Sequence, residues 1–303
     1  MSVRHLLEVT DLQPSELVAV LDASAIAPEP IFAGKAVALI FEKPSSRTRN
    51  SAEVAVAQLG GHPAYITGIE VDFDGRESVE DVTRTLQGYY HVIAARVFDH
   101  RVLERMVSVA EVPIVNLLSD VGHPVQVLAD LQTIRQHARP IDGATIAWIG
   151  DYSNVARSLT LGAVGLGASV RFSCPAGYGP SEIELDRLAG QARNGATVSA
   201  HDRPVDAVAG AHVVTTDAWY SMGQEAEKET RSRAFEGFRV DADLLRAALP
   251  GVRFLHCLPA HRGQEVTSEV LDSPASLIWP QAHNRLHTFR GLLRWLHDQG
   301  SIR

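Results

Sequence analysis

Cysteine is scarce in this chain, with Cys174 and Cys257 the two thiols among 303 residues. Two thiols cannot build a disulfide framework, so a disulfide-stapled domain is excluded and a reducing compartment is expected. Long apolar runs are missing as well. No stretch reaches the roughly 20 residues that a membrane-spanning helix needs. The first residues, MSVRHLLEVTDLQPSEL, lack the apolar core of a signal peptide. A soluble, cytoplasmic protein without membrane partners is expected. Positive charge is in deficit: 28 Lys and Arg against 36 Asp and Glu give a formal net charge of -8. Such a chain does not attract nucleic acid by its bulk field, so no nucleic-acid partner is expected. The sequence has no G-x-G-x-x-G, which weakens a dinucleotide-binding reading. Its histidines and cysteines show no zinc-type spacing, so no metal is expected.

What the chain does have is an apolar fraction of 45%, enough for a sizeable core. Short β-branched runs alternate with longer amphipathic ones. The spacing predicts strands at Ala36–Phe41, His91–Val97, Val112–Leu117, Thr145–Gly150, Ser169–Cys174, His212–Asp217 and Arg253–Leu258. It predicts helices at, among others, Ala52–Gly60, Ser78–Tyr90, Pro124–Ala138, Val155–Gly165, Ala242–Leu249 and His283–His297. Alternation of this kind specifies an α/β fold with parallel sheets covered by helices. The Pro and Gly of ARPIDG, Ala138 to Gly143, punctuate the chain after a long helix. They divide it into residues 1–137 and 138–303.

In parallel sheets, ligands bind at the carboxyl ends of strands, where helices begin. FEKPSSRTRNSAE, Phe41 to Glu53, stands at such a place. Ser45 or Ser46 can cap the following helix, whose N-terminus suits an anion. Arg47 and Arg49 add guanidinium donors, and Ser45, Ser46 and Thr48 add hydroxyls. An ordinary capped helix with solvated arginines is the competing reading of this stretch alone. Equivalent places carry further candidates. Arg96 closes the strand HVIAAR. His123 stands at the mouth of a helix opened by Pro124, with Gln126 in its first turn; a simple polar cap is the alternative. Asn154 begins the helix after TIAWI and can bind a carboxylate. Asp217 ends a strand before Ser221-Met222-Gly223 and can bind an ammonium group or cap a helix. Cys257 follows an apolar strand and precedes Leu258-Pro259. Alternation turns the adjacent His256 to the other face, so Cys257 reads as a pocket wall, not a nucleophile.

Together and in this order, FEKPSSRTR, QLGGH (Gln58–His62), HPVQVLADLQTI, DAWYSMGQE, HCLPAHRGQEV and NRLH (Asn284–His287) resemble the aspartate/ornithine carbamoyltransferase family, most closely its ornithine branch. The resemblance runs from about residue 41 to residue 287. It implies a carbamoyl-phosphate domain and an ornithine domain, with the last helix, about residues 283–299, returning to the first domain. It also implies a homotrimer, no cofactor and no metal. By resemblance Ser45, Ser46, Arg47 and Thr48 hold the phosphate, and Arg96, His123 and Gln126 hold and polarise the carbamoyl carbonyl. Arg285 completes that site. Asn154, Asp217, Ser221 and Met222 grip the α-amino-acid end of ornithine, and Cys257 and Leu258 line its δ-amine. The implied reaction gives citrulline and phosphate. Alternatives are a related amine such as N-acetylornithine, or a non-catalytic relative that keeps the fold.

The chain departs from the family pattern at a few places. Ser46 replaces a usual Thr, Ala52 a usual Phe, Asn50 an apolar residue and His283 an acidic one. Asp72 aligns with a loop glutamine that reaches the carbamoyl phosphate of a neighbouring subunit. Asp72 is therefore expected to weaken binding, either by facing that ligand or, if it swings out or pairs with Arg76, by leaving the contact absent.

Overall fold

The computed structural model describes residues 3–220 and 227–302. The chain forms two compact units. One takes in the residues up to Ala129 together with those from His283 onward, and the other runs Asp130–Ala282.

The first unit holds a four-stranded parallel sheet, β1 (Ala36–Phe41), β2 (His62–Thr67), β3 (Val92–Arg96) and β4 (Ile114–Leu118), in the order β2-β1-β3-β4. AVALIF and VIAAR read as unbroken small-apolar runs because helices cover both faces of a parallel sheet, leaving no face for water. On one side Ala38, Ile40, Ile93, Ala95 and Ile114 pack with Val79, Val82, Leu103 and Met106 from the helices Val79–Leu86 and His100–Val109. The second unit holds a five-stranded parallel sheet, β5 (Thr145–Ile149), β6 (Ser169–Ser173), β7 (Val198–Ala200), β8 (Val213–Thr216) and β9 (Arg253–His256), in the order β7-β6-β5-β8-β9. Its core gathers Ala147, Ile149, Val214 and Phe254 with Val240, Val266 and Ile278.

All seven strands expected from the sequence form, with ends shifted by at most two residues. Two further strands, β2 and β7, escape the apolar pattern for a physical reason: both lie at sheet edges. β2 contains Pro63 and is half-exposed, and β7 has three residues. Edge strands tolerate proline and need no continuous apolar run.

Histidines serve the sheets at the opposite end from the candidate sites. His91 Nδ1 accepts the Ala36 N–H that opens β1, at 3.2 Å, and His212 Nδ1 accepts the Thr145 N–H that opens β5, at 3.0 Å. Each supplies an acceptor to the first residue of a central strand, whose donor would otherwise be left over.

The long helix Ile278–Asp298 carries its later turns into the first unit. Arg290 is buried there and donates to Gln58 Oε1 at 2.7 Å and to the carbonyls of Ser24 and Ile26 at 3.2 and 3.1 Å. Arg4 forks onto both carboxylate oxygens of Glu16 at 2.8 Å and lies 5.0 Å over the Trp295 ring. Gly291 makes the close approach possible. A Cβ on it would lie 2.7 Å from both Ser24 N and Val20 O, which are backbone atoms of the helix Pro14–Ala23 and its cap.

Gly291→Ala is therefore expected to destabilise the protein. Overpacking against backbone costs about 1–3 kcal/mol, more than the ~1 kcal/mol that Ala gains over Gly inside a helix. Urea unfolding of the two proteins checks this, and an unchanged or raised midpoint would contradict the packing argument.

Candidate active site

In the first unit the chain leaves β1 toward β2 on one side, while β3 lies on the other. The strand order reverses there, and such a point opens a crevice at the carboxyl ends. Register places Phe41 opposite Arg96, and the Glu42 N–H bonds the Arg96 carbonyl at 2.9 Å. Ser45 is the N-cap of the helix Ser46–Gln58; its Oγ accepts the Thr48 N–H at 3.3 Å. A capping hydroxyl that accepts in this way still has its own proton to donate. Ser46 is exposed in the first turn. The two arginines expected to act alike diverge. Arg49 pairs with Glu53 at 2.9 Å and lies 3.7 Å over the Tyr65 ring, so it is held as a structural group. Arg47 is half-buried and makes no side-chain hydrogen bond or ion pair among the described residues. A guanidinium in the first turn of a helix without a carboxylate is prepared for an anion.

Arg96 is buried at the end of β3. The pairing with β4 slips at this step: Ala95 faces Asn116, whereas Arg96 faces Leu118. A bulge of this kind re-aims a side chain at a strand's end. From β4 the chain turns to His123, which precedes the helix Pro124–His137. Arg285, on the long C-terminal helix, donates to Thr48 Oγ1 at 3.0 Å and to Gln126 Oε1. With that oxygen occupied, the Gln126 amide presents its NH2 as a donor. Thr48, Arg96, His123, Gln126 and Arg285 are all nearly inaccessible to water. Burial pushes the His123 pKa well below the ordinary histidine value, and the charges of Arg285 and Arg96 push it further the same way. The imidazole is therefore neutral at pH 7 and can donate one hydrogen bond without carrying charge.

The second unit repeats the plan at β5 and β8, where its strand order reverses. Ser153 caps the helix Asn154–Gly165, and its Oγ also contacts Asp217 Oδ2 at 3.5 Å. Asn154 lies in the first turn, its Oδ1 accepting the Val155 N–H at 3.0 Å. Asp217 follows β8; its Oδ1 accepts the Ala218 N–H at 2.8 Å and the Cys257 thiol at 3.1 Å. Leu258 has φ 61°, a conformation that non-glycine residues rarely adopt, and its N–H donates to His256 Nδ1 at 2.9 Å. His256 Nε2 lies 3.2 Å from the fully buried Glu265, whose Oε1 also takes the His261 N–H at 2.5 Å. Asp217, His256 and Cys257 offer three donor atoms within 4.8 Å of one another, a group no motif in the sequence announced. Both imidazole nitrogens of that group are already engaged by Leu258 and Glu265. The same commitments leave His256 unsuited to act as base for Cys257.

Within the first unit, then, the structure brings Ser45, Thr48, Arg96, His123, Gln126 and Arg285 to one end of one sheet. Within the second it brings Asn154, Asp217, Cys257 and Leu258 to one end of the other. Ser221 and Met222 lie outside the described residues. Asn50 is exposed and donates to the Ser46 carbonyl at 2.7 Å, so a polar residue is accommodated there without strain. Asp72 is exposed, with φ 38°. Its carboxylate folds over its own turn, so that a Cβ on Gly75 would meet it at 2.5 Å. No ion pair joins it to Arg76 among the described residues. Sequence reading did not anticipate Asn116, Ser119, Ser153 or Glu265. Asn116 did leave a signal, as an amide inside the apolar strand IVNLL.

Residues 4–136 match the family model for the aspartate/ornithine carbamoyltransferase carbamoyl-P binding domain, and residues 142–296 match that for the Asp/Orn binding domain. An ornithine carbamoyltransferase of Acidothermus cellulolyticus is 45% identical over 304 residues, covering 98% of this chain and 97% of its own. An anabolic ornithine carbamoyltransferase of Pyrococcus furiosus is 42% identical over 300 residues, covering 96% and 95%. The solved ornithine carbamoyltransferase from Pyrococcus furiosus superposes with a TM-score of 0.93 at 42% identity, covering 96% of each chain.

The depressed His123 pKa fixes a sign for stability. Below about pH 6.5 an unfolded histidine takes up a proton that the folded one refuses, so folding is weakened as pH falls through that value. The His123 ring resonance in NMR is expected to stay at its neutral position through pH 6.5. A titration midpoint at or above 6.5 would show that the site is wetter than the structure has it.

Proposed function

The chain belongs to the aspartate/ornithine carbamoyltransferase family, and from that premise we propose that it transfers the carbamoyl group of carbamoyl phosphate to the δ-amine of ornithine. The neutral δ-nitrogen forms a bond to the carbonyl carbon, the bond from that carbon to the phosphate oxygen breaks, the proton that the nitrogen sheds passes to the departing phosphate or to water, and citrulline and phosphate result. Negative charge grows on the carbonyl oxygen and on the departing phosphate. Fixed donors placed where that charge develops account for most of such an acceleration.

The first unit takes carbamoyl phosphate. Ser45, Ser46, Arg47 and Thr48 hold the phosphate at the helix N-terminus. Arg96 and neutral His123 donate to the carbonyl oxygen, and Gln126 and Arg285 complete the pocket. The second unit takes ornithine. Asn154 and Asp217, with Ser221 and Met222, grip the amino-acid end of ornithine, and Cys257 and Leu258 wall its δ-amine. Holding amine and carbonyl in line supplies further acceleration. The family implies an active homotrimer, and the anabolic name of one relative favours a role in arginine synthesis. The observation that carries the reading is the buried cluster of Thr48, Arg96, His123, Gln126 and Arg285, with Arg285 bonded to Thr48 and Gln126. Incubation of the purified protein with carbamoyl phosphate and a panel of ornithine, N-acetylornithine, putrescine and aspartate tests it. Citrulline and phosphate should appear in equal amounts with ornithine and not with the others; transfer to another amine, or none, would refute it.

Two substitutions probe individual roles. Cys257→Ser is expected to retain measurable turnover, because a wall tolerates a smaller polar group and a covalent nucleophile does not; a trapped carbamoyl-cysteine would reverse that assignment. Asp72→Gln is expected to leave the KM for carbamoyl phosphate within about twofold (below about 0.5 kcal/mol), since the native carboxylate is turned onto Gly75. A severalfold fall in KM that shrinks at high salt would mean that the carboxylate does face the ligand.

A further inference from the structure

Between β4 and His123 lies a turn that the reaction itself does not use, Ser119-Asp120-Val121-Gly122. The Ser119 N–H donates to the Gly122 carbonyl at 2.9 Å, and the Gly122 N–H returns to Ser119 Oγ at 3.3 Å. Asn116, fully buried in β4, spreads its Nδ2 over three acceptors: the Leu7 carbonyl at 2.9 Å, Ser119 Oγ at 3.2 Å and the Gly122 carbonyl at 3.3 Å. On its other side Ser119 Oγ lies 2.7 Å from His100 Nδ1. The His100 N–H donates to Asp120 Oδ1 at 2.8 Å, which pins the middle of the turn.

Ser119 Oγ accepts from Gly122 and from Asn116 and lies against His100 Nδ1, so one hydroxyl ties the turn, β4 and His100 together. The Asn116 amide is kept for its NH2. Its oxygen is buried without a hydrogen-bond partner among the described residues, a cost that an apolar residue in β4 would avoid. A costly polar group in a buried strand calls for a compensating role. Every bond it makes falls on the turn or on the amino-terminal segment beside it, and the turn ends at His123.

We propose that Asn116 and Ser119 are positioning residues, which, with His100 behind them, fix the turn that aims the His123 imidazole. The inference rests on the role given to His123 above. A hydrogen-bond donor to a developing oxyanion works only from a fixed place. A displacement of about 1 Å costs up to about a hundredfold in rate. The same turn keeps the ring dry, in agreement with the depression of its pKa by burial and by Arg285 and Arg96. The charged groups facing the outer end of the network are Asp99, Asp120 and Arg101, all at the surface side of His100.

The test compares Ser119→Ala, His100→Ala, His100→Asn and His123→Gln, each checked for folding by circular dichroism and urea unfolding. For Ser119→Ala, kcat is expected to fall about tenfold or more while the KM for ornithine stays unchanged. The NMR midpoint of His123 should rise toward the ordinary histidine value, carrying the acid limb of the rate profile with it. A residue that merely stabilises the fold would not move that midpoint. His100→Ala should give the same changes in smaller measure. His100→Asn, whose Oδ1 can stand where Nδ1 stood, should restore them. If His123→Gln costs activity but folded Ser119→Ala and His100→Ala change neither kcat nor the midpoint, the positioning role is wrong and the role of His123 stands. If His123→Gln costs nothing, the reading of the site itself fails. Should Ser119→Ala not fold, the two His100 variants decide alone: an unmoved midpoint in His100→Ala overturns the proposal.

Discussion

The guanidinium of Arg285 binds Thr48 and Gln126, side chains 237 and 159 positions away along the chain. Much of the first unit is arranged so that this can happen. The long C-terminal helix has to come back to the residues that open the fold, and it does so closely because Gly291 has no side chain. Arg290 fastens it to carbonyls near the end of the helix Pro14–Ala23, and Arg4 fastens the amino-terminal segment to Trp295. A buried cation is costly unless every hydrogen it offers finds an oxygen. Two of the oxygens Arg285 meets are neutral, the Thr48 hydroxyl and the Gln126 amide. A neutral oxygen accepts its hydrogens without cancelling the field that attracts an anion.

The same logic explains the neutrality of His123. Two arginines already supply charge to the buried pocket. A third cation would be repelled by both, and burial alone disfavours it. What the pocket gains from an imidazole is a directed N–H that costs no further charge. A chain with net charge -8 can thus hold a doubly charged anion, because attraction is set by a few desolvated donors and not by the bulk field.

How much of this was legible beforehand follows from where the information sits. The central strands were readable because a parallel sheet with both faces covered writes itself as an apolar run, as in AVALIF and TIAWI. The edge strands β2 and β7 were not, since half-exposed backbone puts little demand on residue type. Ser45, Arg47, His123 and Asp217 could be singled out because they stand where strands end and helices begin, a position that local sequence marks. Arg49 shares the stretch and the residue type of Arg47 yet serves Tyr65 and Glu53, and only the path of β2 decides that difference. Arg285 was reached through resemblance alone. Nothing local distinguishes it from a surface arginine of an amphipathic helix, because its partners come from distant segments.

The two units use one device with opposite sign. Each places its candidate groups where the strand order reverses, beside β1 and β3 in one and beside β5 and β8 in the other. Each opens a helix there with a capping serine, Ser45 or Ser153. In the first, the strand ends and helix starts collect arginines and N–H donors, which suits an anion. In the second they deliver a carboxylate, Asp217, with a thiol and a hydroxyl as its neighbours, which suits a cationic nitrogen. Backbone geometry alone does not choose between these outcomes, for the helix N-terminus is electropositive in both. The second unit overcomes that bias by placing Asp217 at the end of β8 instead of on the helix, where its charge is met by one backbone N–H and the weak donors Cys257 and Ser153. Among the described residues no arginine or lysine pairs with that carboxylate. The strand ends therefore choose the ligand, and the helices serve both choices alike.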